Sequence, residues 1–350
     1  MKIRLKKLPE QVLVITGASS GIGLATAQLA ARKGARVVLS SRDEVDLSRA
    51  TEEIRRQGGR VFHLVGDVAD FPAMRALADA AVREFGRIDT WINNAGVSIY
   101  GPIEQVRLED ARRLFETNYW GVVHGSLAAL AYLKRTGGAL INVGSVLSET
   151  AYPLQGHYVA SKHAVKGFTE SLRLELEKEG APVSVTLIEP AAINTPYPEH
   201  AKSYLGTEPQ HQPPVYAPEV VADAILHCAE HPMRTVQVGG GAKVFSLLES
   251  IAPRAGDRFK EATSFEAQRS DRPAPAEDAL HHPVPNDARV HGDYPGRVMR
   301  TSLYTRARLS PTARLVGLAA LGAGITLAAR AAAGAGRRDA VEPVETASIH

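Results

Sequence analysis

The chain has 350 residues, 44% of them hydrophobic and 23% charged, which excludes wholesale disorder and allows a sizeable core. Its formal net charge is +3, and residues 1–253 carry 27 basic and 27 acidic side chains, which argues against nucleic acid as the main partner. The single cysteine, Cys228, can form neither an internal disulfide nor a cysteine-rich metal site. We therefore expect a protein of a reducing compartment, the cytoplasm, with no metal centre.

Apolar runs alternate with segments of helical spacing from residue 12 to residue 239. The first run, VLVIT, leads into a turn, so it is interpreted as a strand and not as a signal peptide. This alternation predicts an α/β fold: a doubly wound, Rossmann-like parallel sheet of about seven strands with helices on both faces. The predicted strands are 12–16, 36–41, 60–67, 87–96, 137–145, 183–190 and 235–239, and the predicted helices are 23–34, 44–57, 71–85, 108–133, 157–179 and 218–230.

The regular pattern ends near residue 253, where the composition changes. Residues 1–253 are predicted to form the Rossmann-like domain. Residues 254–312 are rich in proline and histidine and are predicted to be a poorly structured extension. Residues 313–336 are predicted to form an apolar helix, and residues 337–350 a polar tail.

The apolar helix is built on fifteen uncharged residues, LVGLAALGAGITLAA (315–329). This run is shorter than the roughly 20 residues that span a bilayer, although Arg330 could snorkel and so lengthen it. Membrane association through this segment is one hypothesis. The alternative is a helix that packs on the body or on a partner subunit.

The turn TGASSGIG (16–23) follows the first predicted strand and opens the first predicted helix. At this junction glycines permit a tight turn and close backbone approach, and the helix N-terminus offers free N–H groups to a pyrophosphate. The spacing is not the G-x-G-x-x-G form, and many glycine-rich turns bind nothing. We predict that a nucleotide is bound here by Gly17, Ser19, Ser20, Gly21, Ile22 and Gly23.

The end of the second predicted strand, Ser40-Ser41-Arg42-Asp43, bears on the choice of cofactor. An acidic residue at the strand end would hold the ribose 2′-OH of NAD, whereas an arginine suits the 2′-phosphate of NADP. Arg42 therefore favours NADP over NAD. In the alternative interpretation, Asp43 begins the next helix and pairs with Arg42, which leaves no phosphate site.

A tyrosine and a lysine, Tyr158 and Lys162, lie four residues apart in the helical segment HYVASKHAVKGF (157–168). Residues i and i+4 share one face of a helix, so the pair could simply pack, with the lysine stem over the ring. The functional interpretation is that the ammonium lowers the pKa of the phenol and fits it for acid–base catalysis near neutral pH.

Several motifs in order support the functional interpretation: TGASSGIG, Asp67, NNAG (93–96), Asn118, Ser145 and YVASK (158–162). Together they resemble the short-chain dehydrogenase/reductase family in its single-domain, NADP-preferring form. The resemblance covers about residues 8–250, and it implies a catalytic tetrad of Asn118, Ser145, Tyr158 and Lys162.

The resemblance also implies a role for each residue of the tetrad. Tyr158 is the general acid or base, and Lys162 tunes it and bonds the nicotinamide ribose. Ser145 holds the substrate oxygen, and Asn118 supports a water that relays the proton to Lys162. The other implied cofactor contacts are Asp67, Val68, Asn94, Ala95, Gly96, Pro190 and Thr195, beside Tyr158 and Lys162 themselves.

The sequence departs from the family at Pro190-Ala191, where Pro-Gly is usual, and this change could reshape the nicotinamide pocket slightly. The proline- and tyrosine-rich segment 194–218 fits a mobile lid over an apolar substrate, or simply a flexible loop.

The function expected from these features is an NADP-dependent oxidoreductase that transfers a hydride between nicotinamide and a carbonyl or secondary alcohol substrate. An epimerase or another reaction on the same site, or a non-catalytic nucleotide-binding scaffold, remains an alternative. The family resemblance also implies a homodimer or homotetramer, formed through the long helices predicted at 108–133 and 157–179.

Overall fold

The computed structural model describes residues 3–240, 253–284 and 288–310, so the apolar stretch 315–329 lies outside the described residues. The chain divides into two units, Met1–Thr305 and Arg306–His350, and only residues 306–310 of the second are described. Among the described residues, no helix is long and apolar enough to cross a membrane.

A seven-stranded sheet forms the centre of the first unit, with the strand order β7-β6-β5-β4-β1-β2-β3. Every pairing in it is parallel. The predicted Rossmann-like α/β fold is therefore confirmed. The strands are β1 (Val12–Thr16), β2 (Arg36–Ser41), β3 (Arg60–Val65), β4 (Thr90–Asn93), β5 (Gly138–Val143), β6 (Val183–Pro190) and β7 (Thr235–Val238).

Helices cover the sheet in two layers. In one layer α1 packs against α7 and α2, and in the other α3 packs against α5 and α4 packs against α6. Strands β1, β4, β5 and β6 are buried along their whole length, which explains their continuous apolar runs. The helices are α1 (Gly21–Arg32), α2 (Glu44–Arg56), α3 (Phe71–Phe85), α4 (Leu108–Phe115), α5 (Gly121–Thr136), α6 (Gly156–Glu179), α7 (Pro218–Glu230), α8 (Pro253–Thr263) and α9 (Leu303–Leu309).

The single helix predicted over 108–133 is interrupted in the structure. A turn of π-helix, Glu116–Trp120, separates α4 from α5, and α5 continues to Thr136. A π-turn leaves the chain helical on both sides of it, so helical spacing over 108–133 predicts one continuous helix. This inserted turn carries Asn118.

The extension predicted to be poorly structured has regular elements within the described residues. Helix α8 opens it, and the strand Arg269–Pro273 pairs antiparallel with Thr207–Pro209 of the loop after β6. Farther along, Val298–Met299 pairs with Val215–Tyr216 of the same loop. The extension gains its order from backbone pairing with this loop, so it needs little hydrophobic periodicity of its own.

Candidate active site

A cleft of about 270 Å³ opens at the carboxyl ends of the central strands, where ligands bind in doubly wound sheets. It is lined by every predicted site residue except Gly23 and Asn118. Most of the predicted site residues, which the sequence spreads from Gly17 to Thr195, therefore meet in one place.

The glycine loop joins β1 to α1 at one end of this cleft. Gly17 and Gly21 have φ angles of 62° and 53°, in the left-handed region that favours glycine. A Cβ on Gly23 would lie 2.1 Å from the carbonyl oxygen of Gly17, so Gly23 serves close packing of helix on loop and does not line the cleft. The Ser20 side chain does not cap α1, and the first turn of the helix faces the cleft. This arrangement fits a bound pyrophosphate.

Two arginines and one aspartate lie where β2 and β3 end. Arg113 of α4 contacts Asp67 at 2.5 Å, and Arg42 lies close enough to Asp67 to lower the pKa of its carboxyl group. Burial disfavours ionisation of Asp67, but the Ala69 amide and the two arginines outweigh it and lower the pKa of Asp67. Asp43 accepts a hydrogen bond from the Asp46 amide at 3.0 Å and so caps α2.

The guanidinium of Arg42 is engaged by the C-terminal extension. Its Nη1 donates to the carbonyl oxygens of Leu280 and His281, both at 3.2 Å, and its Nη2 donates to that of Ala279. An arginine has five N–H donors, so this engagement leaves capacity for a further acceptor.

The catalytic candidates Tyr158 and Lys162 project from α6 toward the end of β5. Lys162 is 4% exposed, and its Nζ donates to the carbonyl oxygen of Val143 at 3.0 Å. Burial lowers the pKa of this ammonium to about 8. Burial also raises the pKa of the Tyr158 phenol, while the hydroxyls of Ser145 and Tyr197 act in the opposite direction.

Asn118 lies beneath the cleft and not in its wall. Its Oδ1 accepts from the Val97 amide at 2.8 Å, and its Nδ2 donates to the Val97 carbonyl at 3.0 Å and to Ser161 Oγ at 3.1 Å. The π-turn therefore fixes the chain that follows Gly96 to helix α6. A Cβ on Gly96 would lie 3.5 Å from Asn118 Oδ1 and 3.7 Å from Lys162 Nζ, so these groups share one neighbourhood.

A second cavity, of about 230 Å³, adjoins the first at Tyr158. Ser145, Tyr197 and His211 also line both cavities. The outer wall of the second cavity includes Phe259 of α8, so the extension contributes to the substrate side of the site.

The sequence did not predict several residues of the site. Among them are Arg113, which contacts Asp67, and Tyr197 and His211, which line both cavities. The Tyr197 ring meets the Tyr158 ring edge-on, with centroids 6.2 Å apart. Burial lowers the pKa of His211 to about 4, so its imidazole is neutral at physiological pH. The tyrosine-rich composition of 194–218 hinted at Tyr197, but no local signal marks Arg113 or His211.

Residues 11–204 match the family model described as short chain dehydrogenase. The chain belongs to the short-chain dehydrogenase/reductase family. This oxidoreductase is 45% identical over 314 residues to the uncharacterized oxidoreductase YxnA of Bacillus subtilis, a match that covers 89% of this chain and 88% of YxnA. A match of that length reaches beyond residue 253 into the extension. The putative oxidoreductase SadH of Mycobacterium tuberculosis is 34% identical over 260 residues, which cover 72% of this chain and 94% of SadH.

Two solved structures share the fold, the first of them a short chain dehydrogenase/reductase. One from Burkholderia phymatum in complex with NAD aligns with a TM-score of 0.64 at 28% identity, over 73% of this chain and 96% of its own. The alcohol dehydrogenase of Thermococcus sibiricus complexed with 5-hydroxy-NADP aligns with a TM-score of 0.58 at 26% identity, over 65% and 95% of the two chains.

Proposed function

We propose that this short-chain dehydrogenase/reductase is an NADP-dependent enzyme that interconverts a carbonyl compound and its secondary alcohol. The observation that carries the proposal is the position of Tyr158. It lies on the wall common to the nucleotide cleft and the second cavity, so one phenol can face both the cofactor and a substrate.

Each side chain has a defined task in this reaction. When bound, the nicotinamide cofactor supplies or accepts the hydride. Tyr158 donates the proton to the carbonyl oxygen during reduction, and Ser145 donates a hydrogen bond to that oxygen as negative charge develops on it. The Lys162 ammonium stabilises the phenolate that remains. Asn118 supports the site indirectly, because its side-chain amide bonds the Val97 backbone and the Ser161 hydroxyl.

The preference for NADP rests on the charges at the end of β2. Arg42 and Arg113 place two cations beside a single carboxylate, Asp67, which favours an added phosphate. Asp43, the nearest acid in sequence, uses its Oδ1 to cap α2, while its Oδ2 has no hydrogen-bond partner among the described residues. The two solved relatives carry NAD and an NADP derivative, which supports a nicotinamide dinucleotide of either kind.

The substrate side suggests a small, largely apolar molecule. Tyr100, Leu147 and Phe259 are among the side chains around the second cavity. Assembly into a homodimer or homotetramer is supported by apolar side chains left exposed on two neighbouring segments: Trp120 and Leu127, at 43% and 49%, and Leu174 on α6, at 58%. We place the protein in the cytoplasm.

The test is a fluorescence titration of the full chain with NADPH and with NADH, followed by a screen of ketones and aldehydes with the cofactor that binds. We expect tighter binding of NADPH than of NADH, and oxidation of NADPH in the presence of a carbonyl substrate. Failure of both dinucleotides to bind would overturn the proposed function.

A further inference from the structure

Two parts of the extension, residues 278–284 and 288–294, run along the mouth of the nucleotide cleft, and we name them the strap. The strap lies in the same unit as the Rossmann-like body. Ala279, Pro283 and Val284 from it line the cleft beside the glycine loop and Arg42.

The first part of the strap is anchored on the adenosine side by a buried leucine. Leu280 is 0% exposed and packs in one apolar cluster with Val97, Ile99 and Leu114. Burying a leucine side chain completely removes its apolar surface from water, so this contact resists detachment.

Polar contacts secure the same anchor on both sides of Leu280. His281 Nε2 lies 2.8 Å from Asp110 Oδ1, and Asp278 pairs with Lys202 at 3.0 Å. Arg113 Nε donates to the Leu280 carbonyl oxygen at 3.1 Å. Arg113, which contacts Asp67, therefore also holds the strap.

The second part is anchored on the loop after β6. Arg289 pairs with Glu199 at 2.7 Å, and the same carboxylate accepts from the Asp293 amide at 3.1 Å. Gly292 passes so close to this loop that a Cβ there would lie 2.3 Å from the carbonyl oxygen of Thr195, a residue that lines the cleft.

Both parts of the strap also bond groups at the rim of the cleft. The Gly21 amide at the start of α1 donates to the Arg289 carbonyl oxygen at 3.0 Å. Arg42 donates to three carbonyl oxygens of the first part, as described above. The strap is therefore bonded to the glycine loop and to Arg42, in addition to its two anchors.

We propose that the strap is the outer wall of the cofactor site, adding Ala279, Pro283 and Val284 to the residues that enclose the dinucleotide, and that it retains the bound cofactor. The proposal rests on the proposed function, since it concerns the same nucleotide. Retention follows from the anchors, because Leu280 and the Arg289–Glu199 contact hold the strap residues that line the cleft against the bound dinucleotide. Cofactor dissociation is then slow compared with a cleft that is open to solvent.

The experiment measures dissociation of NADPH, and separately of NADH, from the full chain by stopped-flow fluorescence. An excess of non-fluorescent NADP⁺ or NAD⁺ is added to prevent rebinding. The variants are Leu280→Ala, which weakens the apolar anchor, and Glu199→Gln, which weakens the ion pair outside the cleft lining. Leu303→Ala is the control, because Leu303 belongs to the extension but is 81% exposed.

We expect Leu280→Ala to dissociate the cofactor about tenfold faster or more, Glu199→Gln about threefold faster, and Leu303→Ala at the rate of the unmodified chain. If Leu280→Ala does not fold, Glu199→Gln decides the matter. Unchanged dissociation rates in the folded variants would overturn the proposal that the strap retains the cofactor. They would leave the proposed function intact. Failure of the unmodified chain to bind either dinucleotide would overturn both.

Discussion

The Nζ of Lys162 lies 5.7 Å from the centre of the Tyr158 ring, one helical turn away on the same face of α6. Burial lowers the pKa of the ammonium to about 8 and raises the pKa of the phenol. A positive charge near the ring favours the phenolate and so opposes the effect of burial on Tyr158. In the proposed mechanism the charged Lys162 therefore assists the ionisation of Tyr158 that proton donation requires.

Tyr158→Phe removes the only hydroxyl that the proposed mechanism uses as the proton donor. We expect turnover to fall by a factor of about 10³ or more, because proton transfer by a positioned side chain contributes on this scale. Binding of NADPH, measured by fluorescence titration, should change less than about threefold. Tyr132→Phe is a matched control, since Tyr132 bonds Asp79 on the outside of α5. A Tyr158→Phe enzyme with a tenth of normal turnover would contradict the assignment.

The lowered pKa of Lys162 predicts the pH dependence of reduction. The reaction needs a protonated Tyr158 beside a charged Lys162, and raising the pH removes both protons. Because the pKa of Lys162 is lowered to about 8, the charge of Lys162 is lost first. We expect kcat/KM for reduction to be level below pH 8 and then to fall about tenfold per pH unit, as kcat/KM reports the free enzyme. A profile that stays flat to pH 10 would refute this role of Lys162.

Arg42→Asp tests the basis of cofactor selection. The new carboxylate repels a 2′-phosphate but can accept a hydrogen bond from the ribose 2′-OH. We expect the ratio of kcat/KM for NADPH to that for NADH to fall about 30-fold or more, whatever happens to the absolute values. Arg56→Asp is the matched control, because Arg56 is 71% exposed on α2. Equal ratios in the Arg42 variant and the unmodified enzyme would remove Arg42 from cofactor selection.

The sheet and most of the cleft could be predicted because local patterns encode them. Strands β1, β5 and β6 are buried on both faces and so stand out as apolar runs, and the residues at their carboxyl ends form one edge of a parallel sheet. The π-turn at Asn118 could not be predicted, because the segments on both sides of it are helical and together predict one continuous helix.

The contribution of the extension could not be predicted for a different reason. Its decisive contacts are long-range and involve backbone atoms: Arg42 and Arg113 reach the Leu280 carbonyl across 238 and 167 residues. A carbonyl oxygen is present at every position, so composition does not identify which one an arginine will bind. The frequent prolines suggested disorder, but this segment is held by its partners and not by its own periodicity.

Glu189→Gln tests a buried carboxyl group next to the cleft residue Pro190. Glu189 is 0% exposed, and Glu149, Gln237 and Lys166 are the polar side chains that affect its ionisation. Burial, and then the nearby Glu149 carboxylate, raise the pKa of Glu189 to about 8. Between pH 5 and pH 8 the unfolded chain loses this proton while the folded chain keeps it, so the native protein loses stability as the pH rises.

Glutamine carries no titrating proton, so the variant escapes this loss. We expect the free energy of unfolding of Glu189→Gln, relative to the unmodified protein, to increase by at least about 1 kcal/mol between pH 5 and pH 8. Urea unfolding at pH 5, 6.5 and 8 measures the difference. Glu170→Gln, which alters a carboxylate that is 45% exposed on α6, should give curves parallel to those of the unmodified protein. Parallel curves for Glu189→Gln as well would mean that Glu189 is ionised in the native state, and hence that an unrecognised cation or water network compensates its burial.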